Sequence, residues 1–126
     1  MKLQKIDHIG IVAKDLTQAA AEYQDHFGFE AGEIKDIPAM GIQNLVMNVG
    51  ETFLEFLRPT VETGPLAKFV EERGEGTYHL SLAVDDLPAA IEELKAKGIR
   101  ASEPVGGISW VSTRAAHGVI LQLIQR

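Results

Sequence analysis

The sequence contains no cysteine, which excludes a disulfide scaffold, a thiolate metal site and a cysteine nucleophile. Any metal ion must then be held by nitrogen and oxygen. No stretch approaches the ~20 apolar residues of a membrane-spanning helix, and the opening MKLQKIDHIG lacks the apolar run of a secretory signal. The expectation is a cytoplasmic protein with no membrane partner. Basic charge is scarce too: 12 Lys and Arg stand against 18 Asp and Glu, a formal charge of −6, and the basic residues are scattered rather than gathered into a stripe. That argues against a nucleic-acid partner and for a small-molecule substrate. Walker loops, GxSxG, HExxH and dinucleotide-binding glycine patterns are missing, so the common hydrolase and nucleotide-binding signatures give no support.

What is present is an ordinary globular composition, 45% hydrophobic and 24% charged over 126 residues with a mean hydropathy of +0.00. Residues 6–13, IDHIGIVA, alternate as a strand, with Ile6, His8, Gly10 and Val12 on one face. Asp15 then offers an N-cap, Leu16, Ala19, Ala20, Tyr23 and Phe27 fall on one helix face, and Gly28 ends it. The same order returns with Tyr78, Leu80, Leu82 and Val84 alternating with His79, Ser81 and Ala83, then Asp86 and the face Leu87, Ala90, Ile91 and Leu94, ending at Gly98. The offsets 79−8, 86−15, 87−16 and 94−23 all equal 71, which marks an internal repeat.

After each helix come three strand-like runs, 29–35, 42–49 and 52–58 in the first half and 99–102, 107–113 and 118–125 in the second. Each half therefore reads βαβββ. The expected organisation is an α+β fold in one domain, 1–126, made of a module 1–58, a connection 59–76 with a short helix after Gly64 and Pro65, and a module 77–126. Halves of about 55 residues are marginal alone, which favours one shared domain.

Four polar residues stand in strands that otherwise want apolar side chains: His8 and His79 in the first strand of each half, Glu55 and Gln122 in the last. Two imidazoles, a carboxylate and an amide oxygen suit one divalent metal ion, Zn, Ni, Co, Mn or Fe. A lone strand histidine is more often a hydrogen-bonded core residue, but the repeat in register favours the metal. Glu55, between Leu54 and Phe56, needs a cation or donor if buried, whereas the amide of Gln122 can equally bond a neighbouring strand. Gln43, Arg58 and Trp110 are expected to line a substrate cavity, Arg114 is a further partner for an anion, and His117, before Gly118, is a candidate for the site mouth and, beside a metal-bound hydroxide, for proton transfer.

Paired βαβββ units with metal ligands on their first and last strands resemble the vicinal oxygen chelate superfamily, which includes glyoxalase I, bleomycin-resistance proteins and extradiol dioxygenases. DHIGIVAKDL, PLAKFVEERGEGTYHLSLAVDDL and GVILQLIQ look most similar to its methylmalonyl-CoA epimerase family. The resemblance covers nearly the whole chain. It implies a cupped, barrel-like mixed sheet around one divalent metal, commonly in a homodimer, and lyase or isomerase chemistry that stabilises an enolate or enediolate. Carried over by position, His8, Glu55 and His79 match ligand positions. Gln122 stands where the family has glutamate, and Ala39 stands where the epimerases have their other catalytic glutamate. An Fe(II) dioxygenase and a non-catalytic, resistance-type binding protein are the alternatives.

Overall fold

A computed structural model describes residues 1–30 and 32–126. In chain order the elements are β1 (Leu3–Val12), α1 (Leu16–Phe27), β2 (Ile34–Ile37), β3 (Ile42–Val49), β4 (Thr52–Pro59), α2 (Pro65–Arg73), β5 (Gly76–Val84), α3 (Leu87–Ala96), β6 (Ile108–Trp110) and β7 (Leu121–Gln125). Short 3-10 turns occupy Pro38–Met40 and Thr113–Ala116. The α+β class follows from these elements.

The helices start where the polar caps stand. Asp15 Oδ1 accepts from the Gln18 N–H at 3.0 Å and Asp86 Oδ1 from the Ala89 N–H at 3.0 Å, each satisfying one of the amide groups a helix start leaves unpaired. Helix α1 ends on Gly28, whose φ of 75° is left-handed and open to glycine without strain. Phe27 departs from the expected face: it is 66% exposed and touches the Tyr23 ring edge-on. As the last residue of α1 it lies beyond the turn that packs.

The chain groups into two compact units whose limits fall inside β1 and β5 rather than in the 59–76 connection. One unit is Ile9–Tyr78. Its strands run β2-β3-β4-β1, with β2·β3 and β3·β4 antiparallel. Leu16 of α1 closes with Ala13, Leu45, Met47 and Phe56 into a buried cluster, against which Ala19, Ala20 and Tyr23 pack. Register pairs Leu45 with Phe56 and Met47 with Leu54, so one face of β3 and β4 belongs to α1. In the same unit Phe69 of α2 meets Tyr78 edge-on at 4.9 Å.

The other unit is Met1–His8 with His79–Arg126. Its strands run β1-β5-β7-β6, with β5·β7 parallel and β6·β7 antiparallel. Leu87, Ala90, Ile91 and Leu94 of α3 are all buried as the periodicity requires, and they cluster with Val84 and Leu123. Parallel register pairs Leu82 with Leu123 and Ser81 with Gln122. The leucine face therefore meets α3, and the Ser81–Gln122 face points the other way.

Three expected strands are not formed as read. The run 29–35 yields only β2 at Ile34–Ile37, and its residue 31 lies outside the described residues. The run 99–102 is reduced to one bridge, Ala101 to Val111, flanked by bonds from the Ser112 N–H to the Arg100 carbonyl and from the Ser102 N–H to the Trp110 carbonyl, and 107–113 to three residues. Pro104 offers no amide hydrogen, and Gly106 and Gly107 turn the chain at φ 60° and 76°, which keeps the pairing short.

Candidate metal centre

His8 and His79 are 4% and 3% exposed, and their Nε2 atoms lie 3.0 Å apart with the rings edge to face. The repeat thus brings together the two imidazoles that the sequence singles out. Burial, and secondarily His8 beside it, push the pKa of His79 down to about 4. Near neutral pH its ring is uncharged, the state in which an imidazole nitrogen can ligate a metal.

Asp7, which the sequence reading passed over, is 3% exposed. His8 Nδ1 lies 2.7 Å from Asp7 Oδ2, and Arg126 donates Nε to Oδ1 at 2.8 Å and Nη2 to Oδ2 at 2.9 Å. The Arg126 guanidinium holds the Asp7 carboxyl below the usual carboxylate range, against a burial effect that raises it. Asp7 in turn raises the Arg126 pKa. A charged residue directly before a strand histidine was the available signal for Asp7. Its partner lies 119 residues away and no local pattern announces it.

On the same face as His79, Ser81 Oγ donates to Gln122 Oε1 at 2.7 Å, with both residues buried. The amide that was expected as a fourth ligand therefore has its oxygen engaged by a hydroxyl. Trp110 pairs with Gln122 across β6 and β7, and its ring stands 5.3 Å from that of His79. This residue does stand beside the imidazole, with 36% of its surface exposed.

In the other unit Glu55 is half-buried, and its Oε2 accepts from Asn44 Nδ2 at 3.0 Å. Register pairs Val46 with Glu55 and Asn44 with Leu57, so Asn44 and Glu55 share a face turned from α1. Gln43 and Arg58 pair directly, and Arg58 Nη1 donates to Gln43 Oε1 at 3.0 Å. Alternation puts them on the α1 face with Leu45 and Phe56, opposite Glu55. Counting alternation from Glu55 would have selected Asn44 in their place. His117 is exposed and ends a 3-10 turn at φ 53°, and Ala39 is exposed in the other such turn. Arg114 is exposed and lines a surface depression with Arg100 and Ser112.

The donor chemistry fits a divalent ion. Two ligand nitrogens at 2.0–2.1 Å from one metal, in neighbouring coordination positions, are themselves roughly 3 Å apart, the spacing of the two Nε2 atoms. His8 carries the carboxylate partner on its other ring nitrogen that metal-binding histidines commonly have.

These features define a member of a known class. The chain belongs to the Glyoxalase/Bleomycin resistance protein/Dioxygenase superfamily, whose family model matches residues 7–113. Within that class several of its relatives are named methylmalonyl-CoA epimerases. It is 33% identical over 99 residues to the mitochondrial methylmalonyl-CoA epimerase of Homo sapiens, covering 78% of this chain and 56% of that protein. It is 34% identical over 97 residues to the ethylmalonyl-CoA/methylmalonyl-CoA epimerase of Cereibacter sphaeroides, covering 76% and 72%. The chain thus spans little more than half the length of its human relative. Among solved structures it is similar to the Streptomyces coelicolor methylmalonyl-CoA epimerase in complex with 2-nitronate-propionyl-CoA, with a TM-score of 0.88, 26% identity, and coverage of 98% of this chain and 95% of that one. No helix among the described residues is long and apolar enough to cross a membrane.

Proposed function

We propose that the protein is a metal-dependent lyase or isomerase that stabilises an enolate or enediolate formed from a small carbonyl substrate of the acyl-CoA type. The observation that carries this reading is the buried pair of imidazoles with facing Nε2 atoms 3.0 Å apart. In this reading the ligand set is His8 and His79, each through a ring nitrogen, with Glu55 as the carboxylate. When bound, a divalent ion supplies a Lewis acid that draws charge onto a substrate oxygen and acidifies the neighbouring carbon.

The chain's own residues divide the remaining work. Trp110, half open beside His79, offers an apolar wall to the substrate. Gln122 is a neutral amide pinned by Ser81 and cannot take a proton at neutral pH. With Ala39 at the other expected carboxylate position, a base on each face of a planar carbanion is lacking. This supports a single proton-transfer group over paired glutamates, and His117 fills that role in this reading. A homodimer is part of the proposal, checked by light scattering.

The test is elemental analysis of protein purified without chelator or affinity tag, as wild type and as His79→Ala. About one ion per chain is expected in the wild type and loss in the variant. Uptake of deuterium at the α-carbon of methylmalonyl-CoA, followed by mass spectrometry in heavy water, then reads the proton transfer, and His117→Ala should slow it about 10²-fold or more. The donor set of two histidines and one carboxylate favours a second reading, an Fe(II) oxygenase; bound iron with oxygen consumption would select it. Protein that stays empty after reconstitution would overturn both in favour of simple ligand binding.

A further inference from the structure

The two histidines occupy matching places in the repeat but not matching surroundings. The residue before His8 is Asp7, and the residue before His79 is Tyr78. The bonds on the Asp7 carboxylate include Arg126 Nε on Oδ1 at 2.8 Å, Arg126 Nη2 on Oδ2 at 2.9 Å, and, as the third, His8 Nδ1 on Oδ2 at 2.7 Å. A carboxylate gripped by a guanidinium fork is an acceptor only, so the hydrogen of the third bond belongs to His8 Nδ1. A neutral imidazole has one N–H. A neutral His8 then carries its lone pair on Nε2, which faces His79 Nε2 at 3.0 Å. For that contact to be a hydrogen bond, its hydrogen has to come from His79 Nε2.

We propose that Asp7, oriented by Arg126, is a positioning residue that presets His8 as a ligand through Nε2, while His79 would ligate through Nε2 only as its other tautomer, with the hydrogen on Nδ1. The inference rests on the metal reading above and adds a difference between the two ligands to it. His8 would ligate without rearrangement, whereas His79 would first have its hydrogen moved from Nε2 to Nδ1. Arg126 matters because a carboxylate held at both oxygens presents Oδ2 to His8 in one orientation. Carboxylate partners of this kind fix which imidazole nitrogen is available to a metal.

The experiment starts with metal-free wild type at one mildly alkaline pH. Long-range proton–nitrogen correlation spectra of histidine-labelled protein should show His8 as the Nδ1–H tautomer and His79 as the Nε2–H tautomer; His8 found as Nε2–H overturns the proposal without any variant. Asp7→Asn supplies an amide donor where the acceptor stood. It should reverse the His8 tautomer and lower Zn(II) affinity, measured by competition with a chelating dye, about 10–100-fold. Arg126→Gln retains the carboxylate, serves if Asp7→Asn fails to fold, and should give a smaller loss in the same direction. Zn(II) binding with tautomer and affinity unchanged in both variants would overturn the positioning role and leave the metal reading intact. The expected tautomers in a wild type that binds no Zn(II) would overturn the metal reading and, with it, the ligand role of His8.

Discussion

Glu55 in the unit Ile9–Tyr78 and Gln122 in the other unit hold corresponding places. Each stands in the last strand of its half, on the sheet face turned from that unit's helix. Their environments differ in the way their chemistry demands. Glu55 is a half-buried carboxyl group, with an Asn44 N–H on one oxygen at 3.0 Å. Gln122 is 4% exposed and neutral, with its oxygen satisfied by the Ser81 hydroxyl at 2.7 Å. A satisfied buried amide needs no ion, whereas a partly buried carboxylate gains from a cation. The repeat therefore keeps one scaffold in both halves while the two corresponding positions take different electrostatic roles.

The comparison holds only while both scaffolds stand, and the largest effects come from breaking them. Phe56→Ala removes a side chain that is 1% exposed and packs against Tyr23 with ring centroids 4.8 Å apart. It should cost about 3–5 kcal/mol, and Leu123→Ala in the other cluster about 2–5 kcal/mol. Urea denaturation followed by circular dichroism checks both.

Making the two places alike is the sharper test. Glu55→Gln keeps an acceptor for Asn44, so stability should change by less than about 0.5 kcal/mol. Zn(II) affinity should fall by at least about 100-fold, at or beyond the upper end for loss of an outer-shell partner. Unchanged affinity in a dye-competition titration would remove Glu55 from the ligand set. The reverse change, Gln122→Glu, buries a charge opposite Ser81 and should destabilise by about 1–3 kcal/mol. If the missing carboxylate is what limits proton transfer, the same variant should accelerate deuterium uptake into methylmalonyl-CoA; no acceleration would assign the limit elsewhere.

How much of this was legible depended on whether the signal was local. The caps Asp15 and Asp86, the buried face of α3 and the strand 42–49 came directly from periodicity, because each rests on neighbours a few residues away. His8 and His79 were visible through their common offset. The Asp7–Arg126 pair was not, since a contact across 119 residues leaves no trace in alternation or helix spacing. Gln43 and Arg58 fall in the strands expected for them, and alternation sets them on the α1 side, where each satisfies the other. The run 99–102 is shorter than expected for a different reason: it pairs with 110–112 through one bridge and two flanking backbone bonds, and the turn-forming Pro104, Gly106 and Gly107 keep that pairing from extending.

The smallest expected difference lies between the two helix starts. Asp15 and Asp86 cap with the same 3.0 Å bond from extended backbone, φ −128° and −136°, and replacement of either by alanine should cost about 1 kcal/mol. The two should not be equal. Helix α3 has Pro88 in its first turn, and proline there pre-sets φ and lacks an N–H that would otherwise want a partner. Helix α1 starts with Leu16 and Thr17 and has no such device. Asp15→Ala should therefore lose a few tenths of a kcal/mol more than Asp86→Ala, read as a larger shift of the urea midpoint at constant slope. A larger loss at Asp86 would mean that its carboxylate stabilises α3 through more than the first-turn amide, and the equivalence of the two repeats at their helix starts would have to be abandoned.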